Sequence, residues 1–412
     1  MPDRPLRFCM ITTFYPPYNF GGDGVFVHRL SNELALRGHR VHVIHCIDAY
    51  RLAAPSPSLG YRDHPNVTVH GLSSRFGLFS PLLTHQSGSP GLKSVAIREV
   101  LSQGFDVIHY HNISLVGGPK VLEYGRAIKL YTMHDYWLVC PTNVMFRFNR
   151  APCTRPHCFA CCLVYRRPPQ WWRYLRLMER AVKHVDAFIA PSHFSRELHQ
   201  RMGLNARIVH LPSFVAPDER VSESEAPADE PSRPPYFLFV GRLEKLKGVH
   251  TLIPIFRDYQ KAQLLIAGTG SYEPTLRRLA HSVDNVRFVG HASRPELHQL
   301  YRRALGVIVP SICYDTAPLV TLEAFLQGTP VIVRNLGGMP EIVNESGGGL
   351  VYDTETELVA AMDRLCADPA YRDEVGRRGY TAYKEKWTAE SYLERYLSLI
   401  REIEPRDLRE GM

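Results

Sequence analysis

Apolar residues along this chain come in short runs separated by longer amphipathic stretches, the alternation left by parallel sheets that helices cover. Residues 6–13, Leu-Arg-Phe-Cys-Met-Ile-Thr-Thr, read as a buried strand. A loop rich in proline and glycine runs from there through Gly24, and a helix follows from about Val25 to Arg37. Arg40-Val-His-Val-Ile-His45 resumes the strand pattern, so the chain opens with strand, helix and strand. Further strands are predicted at 105–110, 128–133, 186–190 and 207–211. A second set at 236–240, 263–267, 286–289, 306–309 and 330–333 alternates with helical patterns at 248–259, 272–281, 295–304 and 318–327.

Between the two sets lies 217–235, acidic, proline-rich and almost free of large apolar groups. Such a stretch cannot build a core and reads as a linker. The expected class is therefore α/β, with two doubly wound, Rossmann-like domains facing each other across a cleft. Their expected bounds are 1–216 and 236–387, followed by a C-terminal helix and tail at 388–412. Tyr383, Trp387, Tyr392, Leu393, Tyr396, Leu397 and Ile400 fall near helical spacing, so Lys384 to Glu402 is predicted to be a helix that packs back on the first domain. At 412 residues and 45% hydrophobic content the chain can fill two cores.

The net charge of +8 favours anionic ligands or surfaces. No zinc-finger spacing or base-reading helix accompanies that charge, which argues against nucleic acid. Nothing approaches the ~20 apolar residues of a spanning helix. Met1-Pro-Asp3-Arg4-Pro5 leads straight into a strand instead of a signal-peptide core, so a cytoplasmic location is expected, with access to the inner face of the cytoplasmic membrane. Nine cysteines are an odd number, so full intrachain pairing is impossible and reduced thiols are expected.

Candidate chemistry concentrates in the second half. Gly241-Arg242-Leu-Glu-Lys-Leu-Lys247-Gly248 follows the strand at 236–240 and offers a guanidinium and an ammonium to diphosphate oxygens, where they can also stabilise charge growing on a leaving phosphate. Asp315 lies eight positions before Glu323, with Pro318 suited to the first turn of the helix between them. Free N–H groups at that helix start favour phosphate, Glu323 about two turns farther on suits ribose hydroxyls, and Asp315 is left to meet a sugar hydroxyl. Gly337, Gly338, Met339, Pro340 and Glu341 combine close backbone approach with another helix start beside the donor.

In the first half, Gly21 and Gly22 sit in the loop after the first strand, without the Gly-x-Gly-x-x-Gly spacing of a dinucleotide site, which disfavours a dehydrogenase. His134 and Asp135 follow the strand at 128–133, where the imidazole can hydrogen-bond the transferred sugar and the carboxylate can bind acceptor hydroxyls or orient its neighbour. His109 and His111 are weaker acceptor candidates, with structural roles favoured for both.

Through Gly21-Gly22, the 241–248 segment, Asp315 to Glu323 and Gly337 to Glu341, the chain resembles the retaining nucleotide-sugar glycosyltransferases of family four, which have the two-domain GT-B architecture. The resemblance covers 6–403. It implies that Arg242 and Lys247 bind the donor diphosphate, that Asp315 contacts the transferred sugar and Glu323 the ribose, and that His134 faces the donor. The family usually has glutamate where Asp315 stands, so the carboxylate is here one methylene shorter.

Cys140, Cys153, Cys158 and Cys161 can be drawn as a tetrahedral structural zinc site, with Cys162 and His157 nearby, or as reduced cysteines of an acceptor loop. No metal or other cofactor is expected in catalysis. The segment from Tyr165 to Arg180 mixes cations with Trp171, Trp172 and Tyr174, so it reads either as peripheral contact with an anionic membrane or as a helix packed within the protein. The expected reaction moves a hexosyl group from a nucleoside diphosphate sugar to a saccharide or lipid-linked saccharide in glycan biosynthesis. A non-hydrolysing nucleotide-sugar epimerase and a noncatalytic nucleotide-sugar or carbohydrate-binding protein are the alternatives.

Overall fold

Phe8, Cys9, Met10 and Ile11 of strand β1 (Arg7–Ile11) are all buried. Successive side chains on a strand point to opposite faces, so both faces of this sheet are covered. The structure is a computed structural model that describes residues 4–52, 61–216 and 234–403. The described residues form two compact units, one made of 4–213 with 389–403 and the other lying within 214–388. The expected linker lies outside the described residues except for Pro234 and Pro235.

The first unit contains β1, β2 (Arg40–Cys46), β3 (Val67–Leu72), β4 (Val107–Tyr110), β5 (Ile128–Thr132), the short strands β6 (Phe146–Arg147) and β7 (Ala151–Pro152), then β8 (Ala187–Ala190) and β9 (Ile208–His210). Among the described residues a seven-stranded parallel sheet runs β3-β2-β1-β4-β5-β8-β9, and β6 pairs with β7 as a separate antiparallel ribbon. Strand β3 had no counterpart in the predicted set. Its sequence, Val-Thr-Val-His-Gly-Leu, is buried only at its two ends, as befits a sheet edge that leaves no continuous apolar run. Helix Gly22–Leu36 begins three residues before the predicted Val25, because Gly-Asp-Gly has poor helix propensity and the tertiary setting overrides it.

The second unit contains β10 (Tyr236–Val240), β11 (Gln263–Ala267), β12 (Val286–Gly290), β13 (Gly306–Val309), β14 (Val331–Arg334) and β15 (Gly349–Tyr352). These form a parallel sheet in the order β12-β11-β10-β13-β14-β15. Strand β15 also escaped prediction, its apolar run diluted by Gly347, Gly348 and Gly349. In both sheets the strand order reverses direction beside the first strand, between β1 and β4 and between β10 and β13. Crevices for ligands open at the carboxyl ends of strands at such points.

The stretch from Lys384 to Glu402 is two helices and not one, since helix Pro369–Lys386 stops at Trp387 and helix Ala389–Glu402 starts afresh. Trp387 is buried in the second unit, stacked on Phe325 at 6.0 Å, and its carbonyl accepts a hydrogen bond from Val215 N. The following helix belongs to the first unit, where Tyr392, Leu393, Tyr396 and Ile400 are buried. Near-helical spacing therefore runs through a break, because the residues on either side of it are buried in different units.

Candidate functional site

Two loops of the second unit meet at the switch point. The backbone leaves β10 through Gly241, and the next residues are braced by the loop after β11, with Leu243 N donating to Thr269 O at 2.9 Å. Gly248 has φ 77°, and a Cβ there would lie 1.9 Å from Pro310 O. Only glycine lets the β10 loop lie this close to the chain leaving β13, where Ile312 N also donates to Leu246 O at 2.9 Å.

That approach brings Lys247 and Asp315 together, with Nζ 2.8 Å from Oδ1. The side chains are 29% and 16% exposed, so the pair is neither fully solvated nor sealed. Burial pulls the Lys247 pKa down, but the Asp315 carboxylate, then Cys313, and the hydrogen bond the ammonium donates to Asp315 outweigh it and hold the ammonium above its ordinary value. Asp315 Oδ2 is buried and has no hydrogen-bond partner among the described residues, leaving acceptor capacity uncommitted. Arg242 is half exposed and pairs with Glu244 of its own loop at 2.9 Å.

The loop after β14 closes on the same aspartate. Gly337 has φ 68°, a Cβ there would sit 2.8 Å from Asp315 O, and Gly338 N donates to that oxygen at 2.9 Å. Helix Met339–Ser346 then starts from Gly338, with Pro340 and Glu341 in its first turn. Met339, a candidate contact in the sequence, is instead fully buried in the hydrophobic core, where it anchors the helix start. Pro318 caps helix Leu319–Leu326 and does not occupy its first turn. Glu323 therefore stands about one turn into the helix, not two. Its Oε2 accepts from Tyr301 OH at 3.1 Å, a partner from a preceding helix that the motif alone did not indicate. The Gly268-Thr269-Gly270 loop also went unremarked, although a glycine pair directly after a strand was its signal.

In the first unit, the residues after β1, β4 and β5 gather at the corresponding switch point. His111 Nδ1 and His134 Nε2 are 2.9 Å apart, and their rings stack at 5.2 Å. Burial lowers the His134 pKa to about 4 against an opposing pull from Asp23, and lowers that of His111 well below its usual value. Both are neutral near pH 7, consistent with a bond that needs one N–H and one lone pair. His109 is fully buried, with Nε2 bonded to Thr132 Oγ1 at 2.8 Å and Nδ1 to Tyr396 OH at 2.9 Å. Both ring nitrogens are occupied, so His109 fixes helix Ala389–Glu402 and offers nothing to an acceptor.

Asp135 is also committed. Its oxygens accept from Trp137 N and Asn143 Nδ2, both at 2.9 Å, while burial raises its pKa to about 6. These bonds organise the loop after β5 and do not orient His134. Gly21 caps helix Gly22–Leu36 in extended conformation, Gly22 is its first residue, and Asp23 in the first turn accepts from Asn112 Nδ2 at 3.3 Å.

The cysteine-rich segment does not fit a metal as it stands. Among the described residues no group of three or more His, Cys, Asp or Glu side chains is placed to hold an ion. Burial, followed by neighbouring thiols, raises the Cys158 pKa to about 11, with the same direction at Cys153 and Cys162. The segment from Tyr165 to Arg180 is not one helix. Trp171–Leu175 is a 3-10 turn and Leu177–Ala181 a short α-helix, joined at Arg176 with φ 54°. Trp172 and Arg173 turn inward, and Arg173 donates to the carbonyls of Trp137 and Leu138.

Comparison with known proteins adds family likeness to this geometry. The family model described as Glycosyltransferase Family 4 matches residues 20–219, and that described as Glycosyl transferases group 1 matches 221–382. Over 159 residues the chain is 33% identical to MJ1607, an uncharacterized glycosyltransferase of Methanocaldococcus jannaschii, in a match covering 37% of this chain and 40% of that protein. Over 386 residues it is 27% identical to a glycogen synthase of Mycobacterium tuberculosis, covering 89% of this chain and 87% of the relative. The sucrose-phosphate synthase of Thermosynechococcus elongatus superposes with a TM-score of 0.75 at 20% identity, covering 96% of this chain and 98% of the other. The Anabaena HepE protein in complex with UDP-glucose gives 0.65 at 14% identity, covering 97% and 100%. At these identities the two structures speak for the fold.

Proposed function

From the premise that this chain belongs to the family-4-like glycosyltransferases of GT-B fold, we propose that it moves a hexosyl group from a nucleoside diphosphate sugar to a saccharide or lipid-linked saccharide, with retention of anomeric configuration. The observation that carries this reading is the Lys247–Asp315 pair, two residues 68 positions apart joined at 2.8 Å beyond the carboxyl ends of β10 and β13. A cation beside a carboxylate with an uncommitted oxygen suits a ligand that is anionic at one end and rich in hydroxyls at the other.

In this proposal the donor diphosphate takes up the Lys247 ammonium and the Arg242 guanidinium, while Asp315 accepts from a sugar hydroxyl and Glu323 from the ribose. The N–H groups that start helix Met339–Ser346 favour the phosphate end of the sugar. The bond from the anomeric carbon to the phosphate oxygen breaks with its electron pair going to the diphosphate, where the two cations stabilise the charge. The acceptor oxygen bonds to the anomeric carbon on the same face and gives its proton to the departing phosphate oxygen. No side chain is needed as nucleophile. His134, neutral near pH 7, suits a hydrogen bond to a hydroxyl and not proton donation.

The test supplies a panel of nucleoside diphosphate hexoses and oligosaccharide acceptors to the purified protein and assigns the product linkage by NMR. An α-linked product from an α-configured donor supports the reading, and a β-linked product overturns retention. An altered free nucleotide sugar with no glycoside would overturn transfer itself.

A further inference from the structure

Helix Phe79–Ser87 in the first unit is inside out. Its inward face carries two hydroxyls beside Pro81: Ser80 and Thr84 are buried and accept from the buried Lys93 ammonium, from Nζ to Ser80 Oγ at 3.1 Å and to Thr84 Oγ1 at 2.8 Å. The outward face is apolar, with Phe79 74% exposed and Leu82 and Leu83 close to half exposed. Phe76 and Leu78 just before the helix and Leu92 and Val95 just after it are exposed as well. A helix bathed only in water normally has the opposite arrangement. A contiguous apolar patch of this kind marks a surface that meets something apolar.

The patch continues across the neighbouring segment. Trp172 Nε1 donates to His85 O at 2.9 Å, which fixes the Trp171–Leu175 turn beside the helix. Trp171 and Leu175 on that turn are 58% and 69% exposed, and the Trp171 ring lies 5.9 Å from that of Phe159, itself exposed with Leu163. Charge identifies the occupant. Apart from the buried Lys93 and the inward-turned Arg173, stretches 75–98 and 155–183 contain eight lysines and arginines against one acid, Glu179. Arg75, Arg166, Arg167, Arg176 and Arg180 among those cations are exposed. An open recess of ≈ 440 Å³ beside Leu175 is lined by Arg176, Glu179, Arg180 and Lys183, a basic hollow next to exposed apolar groups. Among the described residues no helix is long and apolar enough to span a bilayer.

We infer that this face docks on an anionic lipid bilayer, with Phe79, Leu82, Leu83, Trp171 and Leu175 entering the interface and Arg176 and Arg180 meeting lipid phosphates. Apolar insertion and phosphate contact complement each other here, since neither a buried apolar partner nor a free phosphate alone would use both halves of the surface. The inference does not rest on the sugar-transfer reading.

The experiment is flotation of the full chain with phosphatidylcholine vesicles, with and without 30 mol% phosphatidylglycerol, at low and high salt, without donor or acceptor (composition on the order of a typical anionic leaflet). The protein is expected to float with the anionic vesicles and less well as salt rises. Arg176→Gln with Arg180→Gln should weaken partition roughly 25-fold, from about fivefold per basic residue near an anionic surface. A triple variant, Phe79→Ser, Leu82→Ser and Leu83→Ser, should retain a salt-sensitive encounter but lose binding that survives high salt. Circular dichroism should show all variants folded, since every substituted side chain is solvent-exposed. No flotation by the wild type, or binding unchanged by both variants, overturns the inference. So does a stable dimer that the triple variant dissociates in the absence of flotation, because a second copy would then be the occupant.

Discussion

Replacing Lys247 by Met removes an ammonium 2.8 Å from Asp315 and leaves a mostly buried carboxylate without its cation. At an effective dielectric near 20 the gross attraction at that distance is on the order of 6 kcal/mol. Desolvation of both groups offsets most of it, and with the lysine side chain 29% exposed the net loss falls below the 3–5 kcal/mol seen when a buried pair is broken. A loss of about 1–2 kcal/mol is expected, or roughly 3–7 °C in the thermal transition of a unit this size. The effect on turnover is larger, about 10²- to 10³-fold, the range for removing one group that stabilises charge developing in a transition state. Adding Asp315→Asn separates the two consequences. The double variant should regain most of the lost stability, because no uncompensated charge remains, yet stay at least as slow as Lys247→Met, since Asp315 also meets the sugar. Turnover within threefold of wild type in the single variant, or recovered turnover in the double variant, would refute the assignment of Lys247 to the leaving diphosphate.

Gly337→Ala places a side chain at φ 68° with its Cβ 2.8 Å from Asp315 O, so a loss of about 1–3 kcal/mol and a raised donor KM are expected in urea titration and initial-rate assays. Tyr396→Phe leaves His109 Nδ1 unpaired in the core and should cost about 1–3 kcal/mol of first-unit stability, read from the urea midpoint. His45, His85, His134 and His199 have pKa values lowered by burial to about 4, so between roughly pH 6.5 and 4 the unfolded chain binds their protons first and stability falls as pH falls. Asp135, raised to about 6, acts in the opposite sense over part of that window because the folded state takes up its proton first, but it is one group against four. A urea midpoint that stays constant from pH 7.5 to 4.5 (limits set roughly around that window) would contradict this.

Much of the fold was legible because buried parallel strands are apolar throughout. Runs such as Tyr236–Val240 and Gly306–Val309 announce themselves regardless of what packs on them. The edge strands β3 and β15 did not, since an edge is half solvated and its sequence can be mixed. The candidate donor residues were legible for a related reason. Arg242, Lys247 and Asp315 stand in the loops that leave β10 and β13, and Glu323 about one turn into the helix that follows, all toward the carboxyl end of the sheet, where ligand crevices of such sheets open.

Sequence alone settled all but the two missed strands of the parallel sheets, together with the charge and the residue types near the strand ends. Tertiary structure decided which of those residues touch. His109 lies in β4 and His111 just beyond its end, two positions on, yet the first is sealed by Tyr396 from the far end of the chain and the second pairs with His134. It also turned the apolar side of helix Phe79–Ser87 outward, because a buried lysine claimed the polar side, and it broke the C-terminal helical pattern at Trp387. Hydrophobic periodicity records how deeply each position is buried, since that depends on the local backbone. Which partner buries it depends on contacts between segments hundreds of residues apart, and these exist only once the chain has closed on itself.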